Sequence, residues 1–531
     1  MNPQLQRALE SSVERSLDMW KTLYHSEIPA AHLRECEAEH VADIIDDFIA
    51  AARDWPHRPA LVHNGTSITY RELEERVRFA ALNVHSQTAQ LNGVPGRIGV
   101  LVSHHPAVAH QLLGVLRAQA TYCPIDASLP AGRVHALTTA MGVDRLLSAT
   151  QGTEVDAESD LPELRWRPSD AAYVLCTSGS TGKPKPVAVS RSALTVTVRA
   201  LRSLFALTPA DRVLQFASLG WDTCLEEILP ALTAGSALIF DDAAHCGSLP
   251  AFVRMLAQQA ITVIDLPTAF WHELVLFLHE EGISLPDSVR LVVIGGERVD
   301  PTRLEQWRAL DLHNVRLLNT YGCTETTMIT HAAQLSGPGT EPPTGAHPEA
   351  PIGRPLPHVH DHVTSDGELL VSGPGLATGY LDLPELTAAA FTVADHGTGP
   401  ARWFHTGDLV SRADGGTLYS HGRADEQLKV LGVRVHPAEV ETQLNTHPAV
   451  TGAVVVGERL LGRTSLTAYV VANRPTTAAE LKAYLRERLP AQFVPARVNF
   501  VAALAYTANG KVDRAATRQA LVNGNNQGAK R

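Results

Sequence analysis

The sequence predicts an α/β protein: a large N-terminal domain of helix-covered sheets with a barrel-like β subdomain, followed by a small α+β domain. Three observations carry this. Between about residues 96 and 330, apolar runs such as Arg97-Ile-Gly-Val-Leu-Val, Ala237-Leu-Ile-Phe, Ile261-Thr-Val-Ile and Val289-Arg-Leu-Val-Val-Ile alternate with longer stretches of helical periodicity. That alternation is the pattern of two parallel-type sheets packed between helices. Beyond residue 350 the strands shorten and glycines multiply, as in Gly367-Glu-Leu-Leu-Val-Ser-Gly and Gly416-Thr-Leu-Tyr, which reads as antiparallel and barrel-like. After Gly422-Arg-Ala-Asp-Glu-Gln about 100 residues remain, enough for a second small domain.

In chain order, residues 1–55 read as an N-terminal helical extension, with helical spacing in Val41-Ala-Asp-Ile-Ile-Asp-Asp-Phe-Ile-Ala-Ala-Ala. Pro59-Ala-Leu-Val-His and Ser67-Ile-Thr-Tyr form a hairpin across Asn64-Gly65, a turn that wants two left-handed residues. A helix starts at Tyr70. The core domain spans 56–424 and the small domain 425–522, the latter with a helix at Pro437-Ala-Glu-Val-Glu-Thr-Gln-Leu, strands at 452–457 and 465–471, and a helix over 478–489. Residues 523–531 are a polar, frayed tail.

The 531 residues carry a formal charge of −11, which argues against general binding to nucleic acid or to an anionic membrane surface. Cys36, Cys123, Cys176, Cys224, Cys246 and Cys323 show no Cys-x-x-Cys spacing, so neither a disulfide framework nor a zinc site is expected. No apolar run is long enough for a membrane span, and the first residues lack a signal-peptide core. These features predict a cytoplasmic protein.

The chemistry is densest in Tyr173-Val-Leu-Cys-Thr-Ser-Gly-Ser-Thr-Gly-Lys-Pro-Lys185. An apolar strand empties into a loop where Thr177, Ser178, Ser180 and Thr181 offer hydroxyls, Gly179 and Gly182 free the backbone to turn toward an anion, and Lys183 and Lys185 add charge. A Walker loop is excluded, because Pro184 follows Gly-Lys and no earlier glycine has the required spacing. An ordinary Gly/Ser turn is the bland alternative for this stretch taken alone.

Further segments make the pattern specific. Ile68-Thr-Tyr-Arg-Glu-Leu, Leu116-Arg-Ala-Gln-Ala-Thr-Tyr-Cys-Pro-Ile-Asp126, Asn319-Thr-Tyr-Gly-Cys-Thr-Glu325, Phe404-His-Thr-Gly-Asp-Leu409, Gly422-Arg-Ala-Asp-Glu-Gln-Leu-Lys-Val-Leu-Gly432 and Asn509-Gly-Lys-Val-Asp-Arg514 follow in order over nearly the whole chain. Together they resemble an adenylation domain of the non-ribosomal peptide synthetase type, in the superfamily of acyl-CoA synthetases and luciferases. The resemblance implies ATP and Mg²⁺ as cofactors and joins a carboxylate to the α-phosphorus of ATP with loss of pyrophosphate. Positioning and positive charge do most of the work in such a reaction.

Residue by residue, the resemblance implies that Lys511 bridges carboxylate and α-phosphate and that Glu325 holds Mg²⁺. Thr324 contacts phosphate, Tyr321 lies against adenine, Asp408 accepts the ribose hydroxyls and Arg423 sits beside it. Gly295, Gly296, Glu297, Asn319, Thr320 and Gly322 complete the nucleotide site with the 177–185 loop. Asp425 matches the hinge of a mobile C-terminal lid, whose rotation exchanges Lys511 for a loop carrying Lys429 and Gly432 and opens a channel for a phosphopantetheine thiol. Four residues depart from the pattern: Pro186 for Gly, Cys323 for Pro, Trp221 for Phe and Ser190 for His.

The segment Phe216-Ala-Ser-Leu-Gly-Trp-Asp-Thr-Cys-Leu-Glu-Glu227 resembles the wall of the acyl pocket, with Asp222 placed to hold an α-ammonium. The same alignment lines the side-chain pocket with Thr223, Glu226, Asp265, Val293, Gly295, Thr320, Met328 and Ile329. Two carboxylates among apolar neighbours predict a cationic substrate side chain such as that of lysine, ornithine or arginine. A polar neutral side chain remains the alternative if either carboxylate binds a protein group.

No Gly-Gly-x-Ser carrier motif follows Lys511. The expected acceptor is therefore a carrier from elsewhere, either a free peptidyl carrier protein in trans or, if the chain is an excised piece of a longer synthetase, a carrier of that synthetase. The resemblance leaves room for a small MbtH-like activating protein. An acyl- or aryl-CoA ligase and a nucleotide-binding member without turnover are the rival readings.

Overall fold

The computed structural model describes residues 43–88, 96–148, 166–178, 184–310, 312–340, 349–397, 399–424, 427–430, 433–460, 463–505, 514 and 516–518. The tail 523–531 and Gly179, Ser180, Thr181, Gly182, Lys183, Asp425, Gly432 and Lys511 lie outside the described residues.

The described chain opens on Asp43, which caps helix Ile44–Asp54 by accepting from the amide of Ile44, with Asp46 closing a capping box. Ile44, Ile45 and Phe48 are buried in the core shared with the sheets. This helix is therefore part of the large domain, and a boundary at residue 55 would cut through one hydrophobic core. Its start is pinned by charge as well. Arg191, fully buried on helix Arg191–Leu204, pairs with Asp43 through Nε at 2.9 Å and gives Nη1 to the carbonyl of Leu116 at 3.0 Å. Removing the carboxylate leaves a buried, uncompensated guanidinium. Asp43→Ala is expected to lower unfolding stability by about 3–5 kcal/mol, read as a shift in the urea midpoint at unchanged slope.

Two sheets form the body of the large domain. The first runs in the order Arg354–Pro355, Ile329–Ser336, Arg316–Gly322, Leu291–Gly295, Val263–Pro267, Arg212–Leu214, Ala237–Phe240, Pro59–His63 and Thr66–Thr69. Its interior pairings are parallel, and its ends are closed by antiparallel neighbours. The predicted hairpin is present, with Asn64 at φ 47° and Gly65 at φ 84°. The second sheet runs Gly379–Tyr380, Lys185–Ser190, Ala171–Thr177, Thr121–Asp126, Arg97–Val102 and Arg145–Ser148. Helices between the sheets, including Arg191–Leu204 and Thr223–Thr233, bury their apolar faces on both.

Thr177, Pro267, Gly295 and Gly322 are each the last residue of their strands, and all four line one cavity. The carboxyl ends of strands thus build the site, as in other open α/β sheets.

The expected antiparallel subdomain is a five-stranded sheet of His360–Val363, Glu368–Ser372, Pro400–Arg412 and Phe391–Asp395, with Leu418–Arg423 also paired to Pro400–Arg412. The small domain begins with the ribbon Leu428–Val430/Val433–Val435 and packs helices Pro437–Asn445 and Ala478–Arg486 on strands Val450–Leu460, Arg463–Ala472 and Arg497–Phe500. It has its own core around Val435, Val440, Val455, Leu481 and Leu485. The last helix stops at Arg486, short of the expected 489, in the turn that precedes Pro490. Among the described residues no helix is long and apolar enough to cross a membrane.

Candidate active site

Helix Thr223–Thr233 sets the acidic side of the cavity. Asp222 stands at its N-cap position without capping it, and its carboxylate lines the cavity together with Thr324. Burial pushes the Asp222 carboxyl up, with Thr324 and Arg434 working in the opposite sense. The next turn carries two adjacent glutamates that the helix separates. Glu227 points back and accepts from the amides of Phe216 and Ala217, each at 3.0 Å, and from Gln215 Nε2 at 3.0 Å. It is tied to the loop and is structural.

Glu226 faces the cavity instead, against Asp265 of strand Val263–Pro267. Burial and then mutual repulsion raise the Glu226 carboxyl well above its ordinary range, and burial raises Asp265. The Oδ2 atom of Asp265 is buried and has no hydrogen-bond partner among the described residues. The floor is Gly295 and Thr320, where a Cβ on Gly295 would come within 2.6 Å of the Thr320 hydroxyl. That hydroxyl is held by donating to the Ile294 carbonyl at 3.0 Å. The cavity volume is about 300 Å³, room for an amino acid and part of a nucleotide.

A second group of charges lies behind the wall residues Lys429 and Arg434. Asp408 accepts from the Tyr321 hydroxyl at 2.6 Å through one oxygen and from Arg423 Nη1 at 3.1 Å through the other. Glu325 accepts from the Tyr380 hydroxyl at 3.1 Å and from Arg434 Nη1 at 3.1 Å. Arg434 belongs to the small domain's ribbon, and its carbonyl accepts from the Ser178 hydroxyl at 3.0 Å. Burial opposes the guanidinium charge, and Glu325, Cys323 and Asp408 together more than offset it. Lys429, on the paired strand of the same ribbon, places Nζ 6.0 Å from the centre of the Tyr321 ring. Its ammonium is disfavoured first by burial and then by Arg434. The small domain therefore presents two cations to the catalytic cavity.

The structure brings Thr177, Asp222, Thr223, Glu226, Asp265, Gly295, Gly296, Thr320, Gly322, Thr324, Met328, Ile329 and Lys429 to this one cavity. Val293 is not among its walls. It sits one pleat below Gly295 on the same strand face, fully buried beneath the floor. Asn319 gives its amide to the Pro351 carbonyl at 2.7 Å, beside rather than in the cavity. Glu297 is likewise absent from the walls, and Lys185 lies with Nζ 5.7 Å from the Tyr380 ring centre.

Trp221, one of the four departures, lines the cavity and packs against the small domain's core. Ser190 caps helix Arg191–Leu204 by accepting from the Ala193 amide at 3.2 Å. Sequence reasoning missed Tyr380, Gln492 and above all Arg434, whose signal was a lone charge between Val433 and Val435.

The AMP-binding enzyme family matches residues 48–381, and the AMP-binding enzyme C-terminal domain matches residues 439–511. The chain belongs to the AMP-binding enzyme family. Among relatives of this AMP-binding enzyme, an isonitrile lipopeptide synthase of Streptomyces coeruleorubidus is 38% identical over 86% of the chain and 32% of its own length. Tyrocidine synthase 3 of Brevibacillus parabrevis is 32% identical over 87% of the chain and 7% of its own length. The chain thus spans about a third or less of these relatives.

The artificially fused adenylation–PCP di-domain NpsA-ThdA of Klebsiella oxytoca superposes with a TM-score of 0.74 at 24% identity, covering 87% of this chain and 94% of that one. The amide bond synthetase McbA of Marinactinospora thermotolerans gives 0.75 at 24% identity, covering 90% and 99%. This AMP-binding enzyme belongs to the adenylate-forming superfamily and has the fold of these adenylation-domain structures.

Proposed function

We propose that this enzyme activates an α-amino acid with a cationic side chain to its aminoacyl-AMP and then passes the acyl group to the phosphopantetheine thiol of a carrier protein. The observation that carries the reading is one cavity walled by Asp222, Glu226 and Asp265. Among the described residues no lysine or arginine is paired with Glu226 or Asp265. An acyl or aryl acid would leave Asp222 without its cation, and a neutral side chain would leave Glu226 and Asp265 without theirs.

In the first half-reaction a substrate carboxylate oxygen bonds to the α-phosphorus and the bond to pyrophosphate breaks. Asp222 holds the α-ammonium, so the carboxylate end is directed toward Thr324 and the nucleotide. Asp408 accepts ribose hydroxyls from the position that Tyr321 and Arg423 fix. Glu325, whose carboxylate holds one hydroxyl and one guanidinium here, would hold Mg²⁺ once Arg434 is withdrawn, since an ion arriving on a polyphosphate needs few protein ligands. Such an ion would spread the phosphate charge. Lys511 would bridge the reacting anions, and the hydroxyls of Thr177 and Ser178 would begin the phosphate loop.

In the second half-reaction the thiol sulfur bonds to the acyl carbon and AMP leaves. A narrow cavity of about 80 Å³ between the two domains shares Ser218, Trp221 and Gln492 with the larger one, which supports access for a slender arm. Asp425 would be the hinge between the two arrangements and the loop around Lys429 and Gly432 part of the second.

Amino-acid-dependent ATP–pyrophosphate exchange across the proteinogenic amino acids, ornithine, diaminobutyrate, and several aryl and fatty acids tests the reading. A cationic α-amino acid is expected to be preferred. In Glu226→Gln/Asp265→Asn that preference should fall by about ten- to a hundredfold. Because both carboxyls are raised by burial, rising pH removes their proton and strengthens cation binding. The KM for the cationic substrate should therefore fall with pH above the ordinary carboxylate range in the parent and stay flat in the double variant. Exchange only with a neutral amino acid would sink the side-chain assignment, and exchange only with aryl or fatty acids would sink the role of Asp222.

A further inference from the structure

One interdomain contact plays no part in the chemistry above. Arg133, in the first turn of helix Ala131–Met141 of the large domain, places Nη1 2.8 Å from Oε1 of Glu439, in the first turn of helix Pro437–Asn445 of the small domain. The two side chains are 12% and 0% exposed. Neither charge has a second polar partner among the described residues, and Arg133 Nε is buried without an acceptor. A buried pair of this kind is a weak source of net stability, but separating it leaves two unmatched charges. It is strongly sensitive to how the domains sit.

We propose that Arg133 and Glu439 are positioning residues for the acyl-transfer step: their pair holds the small domain in the orientation that keeps Lys429 and Arg434 in the catalytic cavity. The proposal rests on the two-step reading given above. Glu439 follows Arg434 by five positions on one rigid piece. His436 caps the helix and accepts at its carbonyl from the Glu439 amide at 2.9 Å, while Val435 and Val440 are fully buried in the same core. The Glu325 carboxylate cannot serve a metal–polyphosphate while Arg434 occupies it. Withdrawing Arg434 draws Glu439 away from Arg133, so the pair exists only in the arrangement seen here. Its free energy therefore weights that arrangement against the one in which ATP reacts.

The test measures the half-reactions separately on the full chain. Pyrophosphate exchange reports the first. Single-turnover transfer from preformed aminoacyl-AMP to a phosphopantetheinylated carrier protein reports the second. In Glu439→Gln and in Arg133→Met, exchange should stay within about twofold of the parent while transfer falls about tenfold or more. The exchanged pair Arg133→Glu/Glu439→Arg should regain at least part of the transfer rate. Two single variants, one on each domain, guard against one of them failing to fold. Unchanged transfer, or an equal fall in both steps with no recovery in the exchanged pair, would overturn the proposal and leave the adenylation reading standing. A parent enzyme without exchange for any amino acid would overturn both.

Discussion

Asp222→Asn is expected to raise the KM for the amino acid by about two to three powers of ten while leaving the KM for ATP within about twofold. The carboxylate sits in a cavity that burial already makes hostile to charge, and the Thr324 hydroxyl, Arg434 and its own backbone amide favour its ionised form without overcoming that burial. The substrate ammonium is the partner this geometry lacks. Removing one member of a buried pair costs about 3–5 kcal/mol, and each 1.4 kcal/mol is a factor of ten. Asparagine keeps the shape of the side chain, so a folding defect would not imitate the result. Initial-rate exchange with each substrate varied in turn separates the two KM values, and a proportional loss in both would contradict the role.

The second large effect is on the reaction itself. Lys511→Ala is expected to slow pyrophosphate exchange by about 10²–10³-fold, the range for losing one charge-stabilising group in a water-poor site. Substrate binding should change little, and transfer from preformed aminoacyl-AMP should be spared, because Lys511 acts only in the first half-reaction on the proposed scheme. The pair of measurements distinguishes a catalytic cation from a structural one. If both steps fell together, Lys511 would be holding the domain rather than the transition state.

Local chemistry was legible wherever it decided local structure. Asn64-Gly65 could be read as a turn because two consecutive left-handed residues are costly for other side chains, and both angles are indeed positive. The run 261–264 was recognised as a strand but begins at Val263, because Ile261 and Thr262 instead close the preceding helix and bond Asp211. The helix at 44–54 was read as a packing helix, yet it was set apart as an extension, since its partner Arg191 is 148 residues away.

The same distinction governs the site. Glu226 and Asp265 were placed in the pocket by the resemblance to the family's pocket segment, and both line the cavity. Val293 was misplaced by one pleat: the pattern gives the face, not the depth. Arg434 and the Arg133–Glu439 pair depend on how one domain lies on another, and periodicity carries no information about that.

Glu325 offers one oxygen to Tyr380 and the other to Arg434. On the proposed scheme that second oxygen is a shared seat, taken either by the ion that comes with the nucleotide or by the guanidinium that comes with the small domain. Sharing a part in this way gives the enzyme a rudimentary memory. The occupant of one carboxylate records which of the two steps was last completed, and no separate signal is needed to keep them in sequence.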